Sequence, residues 1–213
     1  MTTLHATHRG NCDVIAFTFI FRRRVMGILI TGLVLFLGIH LVPVLTGMRN
    51  NLFSSLGEKR YKGMFSLVSA LGLILIVVGY ARAPSEPYLF SPFPFAIMIA
   101  PLVMIISFIL LAAANMKTHI RHTVKHPMLI GVGLWATVHL LANGELKASL
   151  LFGAFLAYAI IDLLSATSRH AIKSFTPTSR HDVRAVLGGI VIALLVMTVH
   201  RLLFGVKAVP WGV

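Results

Sequence analysis

Residues 126–144 read HPMLIGVGLWATVHLLANG, and the interpretation of the whole chain begins with this stretch. It is apolar enough to lie in a membrane, but it is shorter and more polar at its ends than an ordinary span. Two histidines, His126 and His139, flank an uncharged apolar core. A histidine inside a membrane segment is costly and usually serves a function. We therefore interpret this stretch as a helix that forms one wall of a buried site.

The composition of the chain is that of a membrane protein. Of 213 residues, 57% are hydrophobic and only 12% are charged, a far more apolar balance than soluble domains have. Several apolar runs are long enough to cross ~30 Å of hydrocarbon at ~1.5 Å per residue. The sequence predicts an all-α, polytopic membrane helix bundle with about six transmembrane helices, or five as the alternative.

The net charge of +13 does not indicate nucleic-acid binding, because the basic residues lie in short loops between apolar runs. There they bias the topology and contact anionic lipid head groups, so the lipid bilayer is the expected partner. The first, third and fifth loops between spans carry more Lys and Arg than the opposite side, which favours both termini outside the cytoplasm. The triplet Arg22, Arg23 and Arg24 argues for the opposite orientation, and the topology stays open.

The predicted spans cover residues 25–45, 63–80, 95–115, 127–143, 148–166 and 183–204. Residues 1–24 differ in composition and are predicted to be an N-terminal extension, with Met26 as an alternative start. Residues 25–213 are predicted to form the transmembrane domain. The single cysteine, Cys12, excludes an internal disulfide, a CxxC zinc site and covalent haem attachment. Small residues in the second span are expected to support close helix packing: Gly63, Ser66, Ser69, Ala70, Gly72 and Gly79.

Three histidines, His40, His126 and His139, are the candidate site residues. Neutral imidazole is a usual axial ligand of haem iron, and two histidines from separate helices can hold a haem between them. Alternatively, each imidazole hydrogen-bonds a backbone carbonyl and packs. Depth favours pairing His40 with His126, because the first span ends on the side where the fourth begins. A kink at Pro43 or a tilted fourth span would instead bring His40 level with His139.

Asp162 is the acid that lies well inside a predicted span. Two interpretations stay open: its carboxylate accepts a hydrogen bond from the N–H of a ligating histidine and so orients the ring, or it pairs with a neighbouring basic side chain. His119, His122, His170 and His181 are predicted to lie in polar loops, and no role is assigned to His200. A nucleotide-binding loop, a G-x-S-x-G elbow and an HExxH motif are all missing from the sequence, which argues against those enzyme classes.

Three blocks of the sequence resemble the NnrU family of bacterial membrane proteins, in the family's order and spacing. They are GIHLVPVL, LGEKRYKGMFSLVSALGLILIVVGYAR and KHPMLIGVGLWATVHLLANGELKASLLFGAF. The resemblance covers about residues 26–166. It implies a multi-pass protein of the bacterial inner (plasma) membrane with a role in denitrification, in producing functional nitrite and nitric oxide reductases.

The same family includes the 15-cis-ζ-carotene isomerases of plants and cyanobacteria, which are haem b membrane enzymes. The resemblance therefore implies bound haem b, with His40 and His139 as axial ligands of the iron and His126 as a further cofactor-binding candidate. The isomerases have a cysteine three residues before the second histidine, where this chain has Ala136. This departure argues against carotenoid isomerase activity.

Whether the chain is an enzyme stays open at this point. One expectation is an accessory or redox-sensing protein that assists the assembly of respiratory reductases. A second is a haem-dependent cis-trans isomerase of a carotenoid-like hydrophobic polyene, in which the iron polarises a double bond as a Lewis acid. A third is a small-molecule transporter, although no internal repeat of the kind many transporters carry is evident in the sequence.

Overall fold

The computed structural model describes residues 24–169, 174–206 and 208–209. These residues form helices and turns, and the helices are α1 (Arg24–Leu41), α2 (Thr46–Leu56), α3 (Glu58–Arg82), α4 (Pro94–Ala113), α5 (His119–Val124), α6 (Pro127–Ala142), α7 (Leu146–Ser168) and α8 (Ser179–Phe204). Within this described part, α1, α3, α4, α7 and α8 are long and apolar enough to cross a membrane, whereas α6 is a shorter apolar helix. The predicted all-α membrane bundle is confirmed. The predictions for residues 1–23 and for His170 lie outside the described residues.

The loops predicted after the first and third spans each contain a short helix. The side chain of Thr118 accepts a hydrogen bond from the Arg121 N–H at 2.9 Å and so caps α5, as N-terminal caps commonly do. Helix α3 begins five residues before the predicted span, and the ion pair between Glu58 and Lys62 at 2.5 Å supports this added turn. His119 and His122 thus lie on α5, and His181 lies on the first turn of α8, rather than in loops as predicted.

Alternating helices give the bundle two ends. One end, here called face one, holds the turns at residues 83–93 and 143–145, and the Leu89 N–H donates to the Gly144 carbonyl there at 2.7 Å. The other end, face two, holds residues 42–57, 114–126 and 169–178. On face two the Arg169 guanidinium donates to the Pro43 carbonyl at 3.2 Å. These bonds connect turns that are distant in sequence and help to set the relative depth of the helices that the turns join.

Helices α1 and α3 approach each other closely through glycines. A Cβ at Gly72 would lie 2.7 Å from the backbone nitrogen of Phe36, and a Cβ at Gly32 would lie 2.6 Å from that of Ile76. Gly79 faces Leu29 in the same way. Small residues allow such backbone contact in membrane bundles. The predicted packing role is confirmed for Gly72 and Gly79, whereas Gly63 has open space around it.

Helix α4 lies between α6 and α8. The fully buried Ser107 hydroxyl donates to the Gly131 carbonyl of α6 at 2.7 Å. Gly189 of α8 lies against the backbone of Ile109. The outer surfaces of the long helices expose large apolar side chains, such as Leu67 at 71% and Leu102 at 61%. Exposed apolar area on this scale indicates a lipid bilayer environment.

Candidate functional site

His139 lies on α6, three residues before the helix ends near face one. Its Nδ1 lies 2.9 Å from the Trp135 carbonyl oxygen. A carbonyl can only accept, so Nδ1–H donates and the neutral ring keeps its lone pair on Nε2. The ring packs against Phe152 of α7 at 4.7 Å and against Trp135 at 5.5 Å between centroids. His139 is therefore a half-buried imidazole, oriented by its own helix and set among aromatic rings.

His200 of α8 is the second imidazole of this cluster. Its ring centroid lies 6.5 Å from that of His139, with 30° between the ring planes. Its Nδ1 lies 2.6 Å from the Val206 carbonyl oxygen, so Nε2 again keeps the lone pair. No role was predicted for His200 from the sequence. The position of His200 along its helix could have identified it. Helices α6 and α8 run in the same direction, and both histidines lie about one turn before their helix ends, so the two rings lie at a similar depth in the membrane.

His40 lies near the end of α1, toward face two. Its Nδ1 lies 2.6 Å from the Phe36 carbonyl oxygen, the same arrangement that His139 has with Trp135. The ring contacts Phe36 at 4.4 Å, Phe65 of α3 at 5.1 Å and Tyr158 of α7 at 6.2 Å between centroids. The imidazole thus faces the interior of the bundle rather than its lipid surface.

His40 and His139 are not in contact, and a row of aromatic rings lies between them. Phe155 of α7 lies 5.8 Å from Phe36 on one side and 5.3 Å from Trp135 on the other. Phe152, Phe155 and Tyr158 share one face of α7 by their spacing of three. His139 meets this face at Phe152 and His40 meets it at Tyr158, six residues or ~9 Å apart along the axis. Both imidazoles therefore contact one aromatic face at different depths.

His126 and Asp162 lie elsewhere, at a cavity on face two. His126 immediately precedes α6 and sits at the opposite end of that helix from His139. The Asp162 carboxylate accepts a hydrogen bond from the Tyr158 hydroxyl at 3.1 Å and lies 3.9 Å from the Arg169 guanidinium. Of the two interpretations of Asp162, the described contacts match pairing with a basic side chain. No histidine among the described residues hydrogen-bonds to it.

The chemistry of the site is that of imidazole ligands in an apolar setting. Among the described residues there is no group of three or more His, Cys, Asp or Glu that could hold a metal ion by itself. A prosthetic group that brings its own equatorial donors, such as haem, needs only one or two imidazoles from the protein. The Nε2 lone pairs and aromatic surroundings of His40 and His139 fit that requirement. The rings of Phe36, Phe155 and Trp135 occupy part of the space a macrocycle would use.

The long apolar helices define a multi-pass helical membrane protein. A family model described as "NnrU protein" matches residues 28–208, which is most of the chain. The chain therefore belongs to the NnrU family, as its three sequence blocks predicted. No curated protein and no solved structure matches the chain.

Proposed function

We propose that the chain binds haem b between α1, α6 and α7 and acts in the bacterial plasma membrane as an accessory or redox-sensing protein. Its clients would be the nitrite and nitric oxide reductases of denitrification, for which it would assist maturation or expression. One observation carries the haem proposal: two imidazoles on separate helices, His40 and His139, contact the same aromatic face of α7. Each has its Nδ1–H bound to a carbonyl of its own helix.

The protein's contribution in this proposal is orientation. The carbonyls of Phe36 and Trp135 hold each imidazole in the tautomer whose Nε2 lone pair can ligate iron. Bound haem would supply one-electron redox chemistry, tuned by its axial ligands and by the apolar surroundings. Ligation by both histidines requires the rings between them to turn aside, so Phe155 is the side chain whose position decides access. The same apolar rings would keep water away from a bound haem.

Ala136 favours the accessory role over isomerase activity. It is fully buried, one turn before His139 on α6, and offers no side-chain donor. A protein that exchanges axial ligands needs a second donor at hand, and the resemblance places that donor at this position in the isomerases. Bound haem would therefore keep a fixed pair of ligands, which suits electron storage or sensing better than bond isomerisation.

The test is an absorption spectrum of the protein purified in detergent after expression with a haem precursor. We expect a Soret band in the wild type, a strongly reduced band in His139→Ala, and an altered band in His40→Ala. His122→Ala is the matched control, because it removes an exposed imidazole on α5 and should leave the spectrum unchanged. Absence of a haem spectrum from all four proteins would refute haem binding.

The physiological role needs a separate measurement. In a denitrifying strain that lacks its own copy of the gene, the wild-type chain should restore nitrite and nitric oxide reductase activity, whereas His139→Ala should not. Equal restoration by both proteins would show that the accessory role does not require a haem ligand at His139.

A further inference from the structure

A cavity of about 330 Å³ opens on face two, away from the His139 cluster. It lies between the end of α4, the short helix α5, the start of α6 and the last turns of α7. Its polar lining comes from Asn115, Arg121, Lys125, His126 and Asp162. The proposed haem function uses none of this lining, so the inference below does not depend on that proposal.

Two cationic side chains, Arg121 and Lys125, line the cavity, and the described contacts position the first of them. The Arg121 guanidinium lies over the Phe175 ring at 5.0 Å, a cation–π contact with a ring that also lines the cavity. The Arg121 N–H is fixed by the fully buried Thr118 at the start of α5. The guanidinium is therefore positioned by the Phe175 ring, and the Arg121 backbone is anchored at the start of α5.

Lys125 has a backbone conformation that ordinary side chains rarely adopt. Its φ is 64° and its ψ is −52°, and among the described residues it is the only non-glycine residue with positive φ. The His126 N–H donates to the Val124 carbonyl at 2.8 Å across it, which makes Lys125 the centre of a strained γ-turn. Residues with a strained backbone of this kind cluster at ligand-binding and other functional sites.

The charges around the cavity favour an anion. Within the described residues, no carboxylate lies within ion-pair distance of Arg121 or Lys125. The one acid of the lining, Asp162, is engaged by the Tyr158 hydroxyl and faces Arg169. Two cations thus face the cavity with their counter-charge missing from the described protein, and Asn115 and His126 add hydrogen-bond donors.

The position of the cavity matches the head-group level of a bilayer. It lies where α6 begins and α7 ends, and the half-exposed apolar side chain of Met128 also lines it. Basic pockets between membrane helices bind the phosphates of anionic lipids. We propose that this cavity binds a phosphate group, contributed by the head group of an anionic phospholipid, with Arg121 and Lys125 as its ligands and the acyl chains outside along α6.

The same phosphate chemistry could come from free inorganic phosphate, and the test has an arm for each source. Delipidated protein in a neutral detergent is titrated with phosphatidylglycerol, with phosphatidylcholine, or with inorganic phosphate. Native mass spectrometry counts bound lipid, and a thermal melt gives the stabilisation. We expect phosphatidylglycerol to bind and to raise the wild-type melting temperature, and phosphatidylcholine to do neither. If inorganic phosphate stabilises as well as phosphatidylglycerol, the cavity binds free phosphate.

Arg121→Gln should reduce phosphatidylglycerol binding at least fivefold. Arg49→Gln is the matched control, because Arg49 lies on the same face over the Phe53 ring at 5.4 Å but outside the cavity. Lys125→Gly provides a second variant that we expect to fold, since glycine accepts the positive φ of 64° at this position. It should melt higher than the wild type without lipid and yet respond less to phosphatidylglycerol. Equal lipid responses of wild type, Arg121→Gln and Lys125→Gly would overturn the proposal.

Discussion

The imidazoles of His139 on α6 and His200 on α8 lie side by side near face one, with their ring centroids 6.5 Å apart. Along the chain, α7 and the loop after it separate these two helices, so the pairing of the two rings is a product of tertiary packing. It gives His139 two possible partners for a shared iron: His40, which the family resemblance implies, and His200, which lies nearer. The first prediction separates them.

We expect His40→Ala to convert a six-coordinate, low-spin haem spectrum into a five-coordinate, high-spin one, and His200→Ala to leave it low-spin. The reason is that His40, like His139, contacts the aromatic face of α7 against which the haem is proposed to bind. Electron paramagnetic resonance of the oxidised protein is the measurement. The reverse pattern, with low-spin signal lost only in His200→Ala, would assign the neighbouring imidazole as the ligand and leave the rings of Phe36, Phe155 and Trp135 in place.

The close contact of α1 and α3 predicts a stability effect at Gly72. A Cβ there would lie 2.7 Å from the Phe36 nitrogen, so Gly72→Ala must push the helices apart. We expect destabilisation by about 1–3 kcal/mol, the usual cost of overpacking. Gly63→Ala on the same helix meets open space and should be neutral or stabilising by up to ~1 kcal/mol from helix propensity. Thermal unfolding in detergent compares the two, and equal melting temperatures would contradict the packing argument.

Ser107→Ala tests the hydrogen bond between α4 and α6. The buried hydroxyl donates to the Gly131 carbonyl at 2.7 Å, and interhelical bonds in membrane proteins contribute on average about 0.6 kcal/mol. We expect a loss of roughly that size in the free energy of unfolding, measured by denaturation in mixed micelles. Thr198→Ala is the control, because the Thr198 hydroxyl donates within its own helix, to the Leu194 carbonyl. A loss for Ser107→Ala no larger than that of the control would show that the interhelical bond contributes little.

Asp162→Asn should strengthen phosphate binding in the face-two cavity. Asparagine keeps an acceptor for the Tyr158 hydroxyl but removes the negative charge that an incoming anion meets. A partly exposed charge interaction of about 0.4–1 kcal/mol corresponds to a gain of roughly two- to fivefold in affinity. Glu58→Gln, on the same face but remote from the cavity, should leave the phosphatidylglycerol titration unchanged. Weaker binding by Asp162→Asn would mean that the carboxylate supports the ligand, contrary to the charge argument.

The membrane class, the helix bundle and most helix boundaries followed from the sequence, because hydrophobic length is a local property of the chain. The family was evident for the same reason, since its motifs are contiguous blocks such as the one that contains His139. The added helix α2 was missed because its exposed, polar residues carry no strong apolar pattern. The candidate histidines His40, His126 and His139 were found because charge-bearing groups are rare within apolar runs.

The neighbours of those histidines were not predictable in the same way. The sequence does not specify how helices align in depth and rotation, so it could not predict that His126 and Asp162 line one cavity, or that His200 lies beside His139. One signal was available and unused, the spacing of Phe152, Phe155 and Tyr158 on a single face of α7. The sequence by itself determined that imidazoles would lie inside a membrane bundle. Only the tertiary structure decided which rings and charges they face, because helix depth and rotation are set by packing between distant segments.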